Sequence, residues 1–142
     1  MKLHHVGIVV RELEEAVERF RLLGFRETAR GFAEAFGVAI SWLEPKGQAN
    51  AEGVEAPALE LLQPLGDGPV RRFLEKRGEG LHHVAFAVPS IESKLEELKA
   101  QGVPLVDEAP REGFRGHKVA FVHPRGFHGV LVELVEGPEP DG

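Results

Sequence analysis

The chain of 142 residues contains no cysteine. Disulfides and thiolate metal ligands are therefore excluded, and a metal site would have to be built from imidazole and carboxylate groups. Tyrosine is absent, and tryptophan and methionine each occur once. No apolar run reaches the roughly 18 residues that a membrane helix needs, so no membrane partner is expected. Basic charge is scarce: 17 Lys and Arg stand against 23 Asp and Glu, for a formal net charge of −6. Nucleic-acid binding calls for a basic surface, so that balance argues against such a partner. Met1-Lys2 leads directly into a strand-like run, which leaves no room for a signal peptide and makes the cytoplasm the expected location.

What the chain does contain is a phrase used twice. Residues 3–25 read LHHVGIVVRELEEAVERFRLLGF and residues 81–103 read LHHVAFAVPSIESKLEELKAQGV, an offset of 78 positions with Leu-His-His-Val at the head of each. WLEPKG at 42–47 is echoed by FVHPRG at 121–126. Leu59-Glu60-Leu61 is echoed by Val132-Glu133-Leu134. Each half thus brings one His pair at its start and one Glu near its end.

The pattern predicts the same order of elements in both halves. Residues 3–10 form a strand-length β-branched run. Leu13, Ala16, Val17, Phe20 and Leu23 then follow helical spacing, with Gly24 as the stop. Strands are expected at 25–31, 37–43 and 58–63, with a loop from Pro45 to Pro57. In the second half, strand 81–88 precedes a helix capped by Ser90 and stopped by Gly102. Strands near 103–107, 117–122 and 129–135 complete it. The expected fold class is α+β: two tandem βαβββ modules forming a curved mixed sheet around a metal site, with helices outside. The modules cover about 1–66 and 79–136 of a single domain. A short helix over 69–77 joins them, and the tail 137–142 is expected to fray.

Strand alternation separates the two His of each pair. His5 shares a face with Gly7 and Val9, and His83 with Ala85 and Ala87. His4 and His82 share theirs with bulkier residues, the set on which a helix packs. The small residues leave a hollow, so His5 and His83 are the candidates to face it. Glu60 and Glu133 are carboxylates inside apolar strands, where an uncompensated charge is costly. Two His and two Glu at matching places in two copies point to one divalent metal ion.

These residues resemble the vicinal oxygen chelate superfamily, which includes glyoxalase I, extradiol dioxygenases, bleomycin-resistance proteins and methylmalonyl-CoA epimerases. Residues 73–84 (FLEKRGEGLHHV), 107–113 (DEAPREG), 121–134 (FVHPRGFHGVLVEL) and Glu60 to Leu65 (ELLQPL) are most similar to the epimerases. The resemblance implies His5, Glu60, His83 and Glu133 as metal ligands; the position of Glu60 is Gln in some epimerases and Glu in others. It also implies interconversion of (2R)- and (2S)-methylmalonyl-CoA through a metal-stabilised enediolate, with Glu133 doubling as catalytic base. The ion would be Co, Mn, Ni, Zn or Fe, with Co favoured by the resemblance. Where some family members carry a second proton-transfer Glu, this chain has Ile40; Glu34 and Glu44 are the nearby carboxylates. Lys118 and His123 are the candidates for substrate binding, the former in the Gly-punctuated stretch REGFRGHK with Arg111 and His117. A glyoxalase I-like lyase uses the same ligands and stands as the alternative. The fourth ligand and the lack of Tyr argue against an extradiol dioxygenase. A metal-free drug-sequestering protein typically lacks the ligands found here. The partner expected is a small CoA thioester, and open sheet edges favour a homodimer.

Overall fold

The computed structural model describes residues 1–46 and 56–136, which divide into two compact units. One runs from His5 to His82; the other combines Met1–His4 with the chain from His83 on. The expected frayed tail, and most of the loop expected between Pro45 and Pro57, lie outside the described residues.

The first unit takes β1 (Lys2–Val9) from His5 on, followed by α1 (Leu13–Arg21), β2 (Phe25–Ala33), β3 (Val38–Pro45) and β4 (Ala58–Pro64). The strand order is β2-β3-β4-β1, with β1 parallel to β4 and the other pairs antiparallel. Alternation along the strands sorts their side chains. Leu43 and Leu61 are buried against Leu13 and Val17 of α1, with Ile8, Leu59 and Phe20 packed around them. Each fully buried Leu contributes about 1.5–3 kcal/mol by leaving water. The helix begins where the Glu12 side chain accepts from the Glu15 N–H at 3.2 Å. Glu14 and Glu15 in its first turn and Arg19 and Arg21 in its last complement the helix dipole. It ends at Arg21, capped at Leu22, and the turn that follows closes at Gly24, whose φ of +98° suits a residue without Cβ.

The same helix-covered side holds a polar clasp. Ser41 is completely buried, and its hydroxyl donates to Glu27 Oε2 at 2.5 Å. Arg30 Nε donates to the same oxygen at 2.7 Å, and its guanidinium also reaches Glu14 of α1. Burial alone would raise the proton affinity of the Glu27 carboxyl, but the Ser41 hydroxyl and the Arg30 guanidinium outweigh it and hold that carboxyl below its ordinary range. Glu27 lies at a register shift that leaves Thr28 without an opposite residue in β3, a bulge in the edge strand β2.

α2 (Pro69–Arg77) belongs to this unit too, with Pro69 in its first turn and Val70 buried. Its Phe73 meets the half-buried His82 edge to face, with ring centres 5.0 Å apart.

The second unit repeats the order: β5 (Gly80–Ala87) from His83 on, α3 (Ile91–Ala100), β6 (Arg111–Glu112), β7 (Lys118–Val122) and β8 (Val132–Glu136). The strand order is β5-β8-β7-β6, again with one parallel pair, β5 and β8. Ile91 and Leu95 of α3 bury against Val88, Ala120, Val122, Val132 and Leu134. The predicted Ser90 cap is present, accepting from the Ser93 N–H at 3.2 Å. Both α1 and α3 are also pinned by the end of their module's last strand. Leu13 N–H donates to Gln63 Oε1 at 2.8 Å, and Ile91 N–H to Glu136 Oε1 at 2.7 Å.

The α+β class and the βαβββ order hold, with one correction. The strand expected at 103–107 is only an isolated bridge between Leu105 and Val122. The backbone N–H groups of Val106 and Asp107 both converge on the Phe121 carbonyl, at 3.1 Å, and the Asp107 side chain accepts from the Phe121 N–H at 2.8 Å. That local turn replaces a ladder, and the strand position passes to the two-residue β6. Among the described residues, no helix is long and apolar enough to cross a membrane.

Candidate metal centre

In the first unit, Glu60 lies in β4 with Gly7 of β1 on one side and Trp42 of β3 on the other. Residues in register on neighbouring strands project to the same face, so the face opposite α1 carries His5, Gly7, Val9, Glu60, Leu62, Ile40 and Trp42. His5 and Glu60 are buried at 3% and 7% exposure, and His5 Nε2 lies 3.4 Å from Glu60 Oε1. The Trp42 ring closes on His5, with centres 5.0 Å apart and planes inclined at 65°.

The second unit builds the same arrangement from its own strands. Glu133 of β8 is flanked by Ala85 of β5 and Phe121 of β7. His83 and Glu133 are 4% and 7% exposed, with His83 Nε2 3.0 Å from Glu133 Oε1. Phe121 stands edge to face with His83, ring centres 5.7 Å apart. His5 and His83 thus occupy the small-residue face, as alternation requires. His4 and His82 are half-buried elsewhere: His4 makes an edge-to-face contact with His117, and His82 meets Phe73.

Chemically, each unit presents one imidazole nitrogen and one carboxylate oxygen to each other in apolar surroundings. Neither donor is soft, and the chain has no thiolate to add. Such nitrogen and oxygen donors suit a divalent transition ion, and a positive charge offsets the cost of burying two carboxylates. The residues present therefore fit a divalent metal.

The remaining predicted residues lie as follows. His123 is half-buried, and its Nδ1 accepts from the Arg125 N–H at 3.0 Å at the start of the turn Pro124–Phe127. Lys118 is exposed at the start of β7, on the side shared with Ala120 and Val122 rather than with Phe121. Ile40 is 2% exposed and in register with Leu62, an apolar member of the same face as Glu60. Glu34 is exposed, whereas Glu44 accepts a hydrogen bond from Trp42 Nε1 at 3.2 Å. The aromatic contacts of Trp42 and Phe121 were missed in the sequence. The repeat marks these two residues as equivalent, since they open the paired WLEPKG and FVHPRG segments, but not what they touch.

Comparison with known proteins agrees with this architecture. Residues 4–121 match the Glyoxalase/Bleomycin resistance protein/Dioxygenase superfamily. The uncharacterised protein YqjC of Bacillus subtilis (strain 168) is 39% identical, over 95% of this chain and 91% of that protein. An ethylmalonyl-CoA/methylmalonyl-CoA epimerase of Cereibacter sphaeroides is 34% identical, over 94% of this chain and 96% of that one. Among solved structures, a variant of the Streptomyces coelicolor methylmalonyl-CoA epimerase in complex with 2-nitronate-propionyl-CoA superposes with a TM-score of 0.89 at 32% identity, over 100% of this chain and 98% of that one. With its doubled βαβββ order and a buried His–Glu pair in each half, the chain belongs to the Glyoxalase/Bleomycin resistance protein/Dioxygenase superfamily.

Proposed function

We propose that this chain is a metal-dependent epimerase that interconverts (2R)- and (2S)-methylmalonyl-CoA. The observation that carries the proposal is the buried His–Glu pair repeated in each module. Similarity to the Cereibacter sphaeroides and Streptomyces coelicolor epimerases across nearly the whole chain supports the substrate. His5, Glu60, His83 and Glu133 are the ligands of one divalent ion in this reading, which has the two modules work as a single domain. Lewis acidity toward the thioester and carboxylate oxygens is the chemistry a bound divalent ion supplies there.

The chain's own residues supply the rest. Glu133, 7% exposed within an apolar wall, removes the substrate α-proton. Around it, Ala85, Val119, Phe121 and Val135 are buried and apolar, so the face offers shape rather than charge. Ile40 and Leu62 extend the apolar lining beside Glu60. His123 is assigned to polar contacts with the rest of the thioester, while Lys118, on the other face of β7, is assigned none. Cobalt is the ion favoured by the family resemblance; a homodimer and a cytoplasmic location complete the reading.

The deciding experiment follows exchange of the methylmalonyl-CoA α-proton with deuterated water by NMR, with hemithioacetal turnover as the control. Exchange without hemithioacetal turnover is the expected result. The reverse pattern would make the chain a glyoxalase I-like lyase, and neither activity would sink both readings.

A further inference from the structure

We infer that Trp42 and Phe121 are positioning residues that brace the two imidazole ligands, and that Glu44 locks the brace in the first unit. The inference rests on the metal site proposed above. Three observations within the units carry it. First, each aromatic is the cross-strand neighbour of its unit's Glu: Trp42 opposite Glu60, and Phe121 opposite Glu133. Second, each ring stands against the imidazole of the same pair, at 5.0 Å for Trp42 with His5 and 5.7 Å for Phe121 with His83. Third, both rings are nearly buried, at 8% and 9% exposure, so neither is free to swing into water.

An imidazole coordinates only when its lone pair points at the ion, and rotation about its side-chain bonds would lose that aim. A ring packed against it at van der Waals distance removes most of that freedom without supplying a donor. In register opposite the Glu, the same ring also limits where the carboxylate can lie. One aromatic therefore serves both members of its pair, which accounts for the second echo of the repeat.

The two braces are secured differently. The Trp42 indole N–H donates to Glu44 Oε2 at 3.2 Å, fixing the ring through a polar tether. The phenyl ring of Phe121 carries no polar atom and lies 5.9 Å below the Arg111 guanidinium, which is itself 3.4 Å from Asp107 Oδ2. Glu44 is thereby given a role in ordering the site from a distance, through Trp42 and then His5.

The test uses the full chain, stripped with a chelator and titrated with cobalt(II). Trp42 is the single tryptophan, so its emission reports filling of the neighbouring site in the wild type. Affinity in the variants is read by calorimetry and ion environment by the cobalt visible spectrum. Trp42→Leu should bind cobalt about 10- to 100-fold more weakly, the range typical for loss of a group that orients a ligand. Trp42→Phe, which restores the ring used in the other module, should recover most of that loss. Glu44→Ala should weaken binding in the same direction and by less. Leu43→Val perturbs the core on the opposite face of the same strand, so it should lower the melting temperature and leave cobalt affinity and spectrum unchanged. Wild-type affinity in both Trp42→Leu and Glu44→Ala overturns the brace, as does a loss in Leu43→Val equal to that in Trp42→Leu. Should Trp42→Leu fail to fold, Glu44→Ala decides alone. A wild-type protein that takes up no cobalt removes the metal site itself, a result distinct from failure of the brace.

Discussion

Replacing Ser41 by alanine removes one oxygen from the interior, and the surrounding geometry sets the cost. The hydroxyl is completely buried and donates to Glu27 Oε2, which also accepts from Arg30 Nε. A hydrogen bond to a charged group is worth about 1.5–3 kcal/mol. Arg30 remains after the substitution, so the lower part of that range applies, about 1.5–2 kcal/mol. At about 2–4 °C per kcal/mol for a chain near this size, the melting temperature should fall by about 3–8 °C. The pH dependence has a definite sign. The Glu27 carboxyl is held below its ordinary value, so its contribution is present above the unfolded value of about 4.3 and is lost as pH falls through the depressed folded value. Without the hydroxyl, burial acts against a weaker opposing set and the folded value rises. The stability gap between wild type and Ser41→Ala should therefore be full at neutral pH and shrink in acid. Urea unfolding at about pH 7 and again near pH 3 measures both gaps. An equal gap at the two pH values, or none at neutral pH, refutes the reasoning.

Other expectations concern the site and its supports. Glu133→Gln should lower α-proton exchange of methylmalonyl-CoA by at least about 100-fold; exchange near the wild-type rate would mean that another group takes the proton. Reconstitution with cobalt or manganese should leave about one ion per chain by elemental analysis and raise the melting temperature, because an ion that binds only the folded state stabilises it. No retained metal would count against the site. Ile40→Val trims an apolar wall and should keep the rate within a few-fold at a stability cost of about 0.5–1.5 kcal/mol. Ser90→Ala should cost about 1 kcal/mol in unfolding experiments through loss of the helix cap, with no change in exchange rate.

The buried His–Glu pairs were legible in the sequence because strand alternation has a period of two. Once 3–10 and 81–88 were read as strands, the choice of His5 over His4 and of His83 over His82 followed from the small residues beside them. The helices were legible through their apolar spacing and, for α3, through its Ser90 cap, although α1 ends at Arg21, short of the expected stop at Gly24. The segment 103–107 was not, because its apolar composition suits a strand while the N–H groups of Val106 and Asp107 are both drawn to the carbonyl of Phe121. β6 escaped notice because two residues, Arg111 and Glu112, carry no pattern. The contacts of Trp42 and Phe121 depend on which residue of β3 lies beside which residue of β4, and of β7 beside β8. Register of that kind is set by three-dimensional pairing, and spacing along the chain does not reveal it.

The pinning of α1 and α3 by the ends of β4 and β8 bears on how such a chain can change over generations. Gln63 holds Leu13, and Glu136 holds Ile91, with one residue neutral and its counterpart acidic. The job is the same, so the two copies have already drifted apart in charge while keeping one architectural rule. Each half encodes its own anchor, so a substitution that loosens one helix does not reach the other through that anchor. Exchanging the pair, as Gln63→Glu with Glu136→Gln, should therefore be tolerated better than removing either side chain.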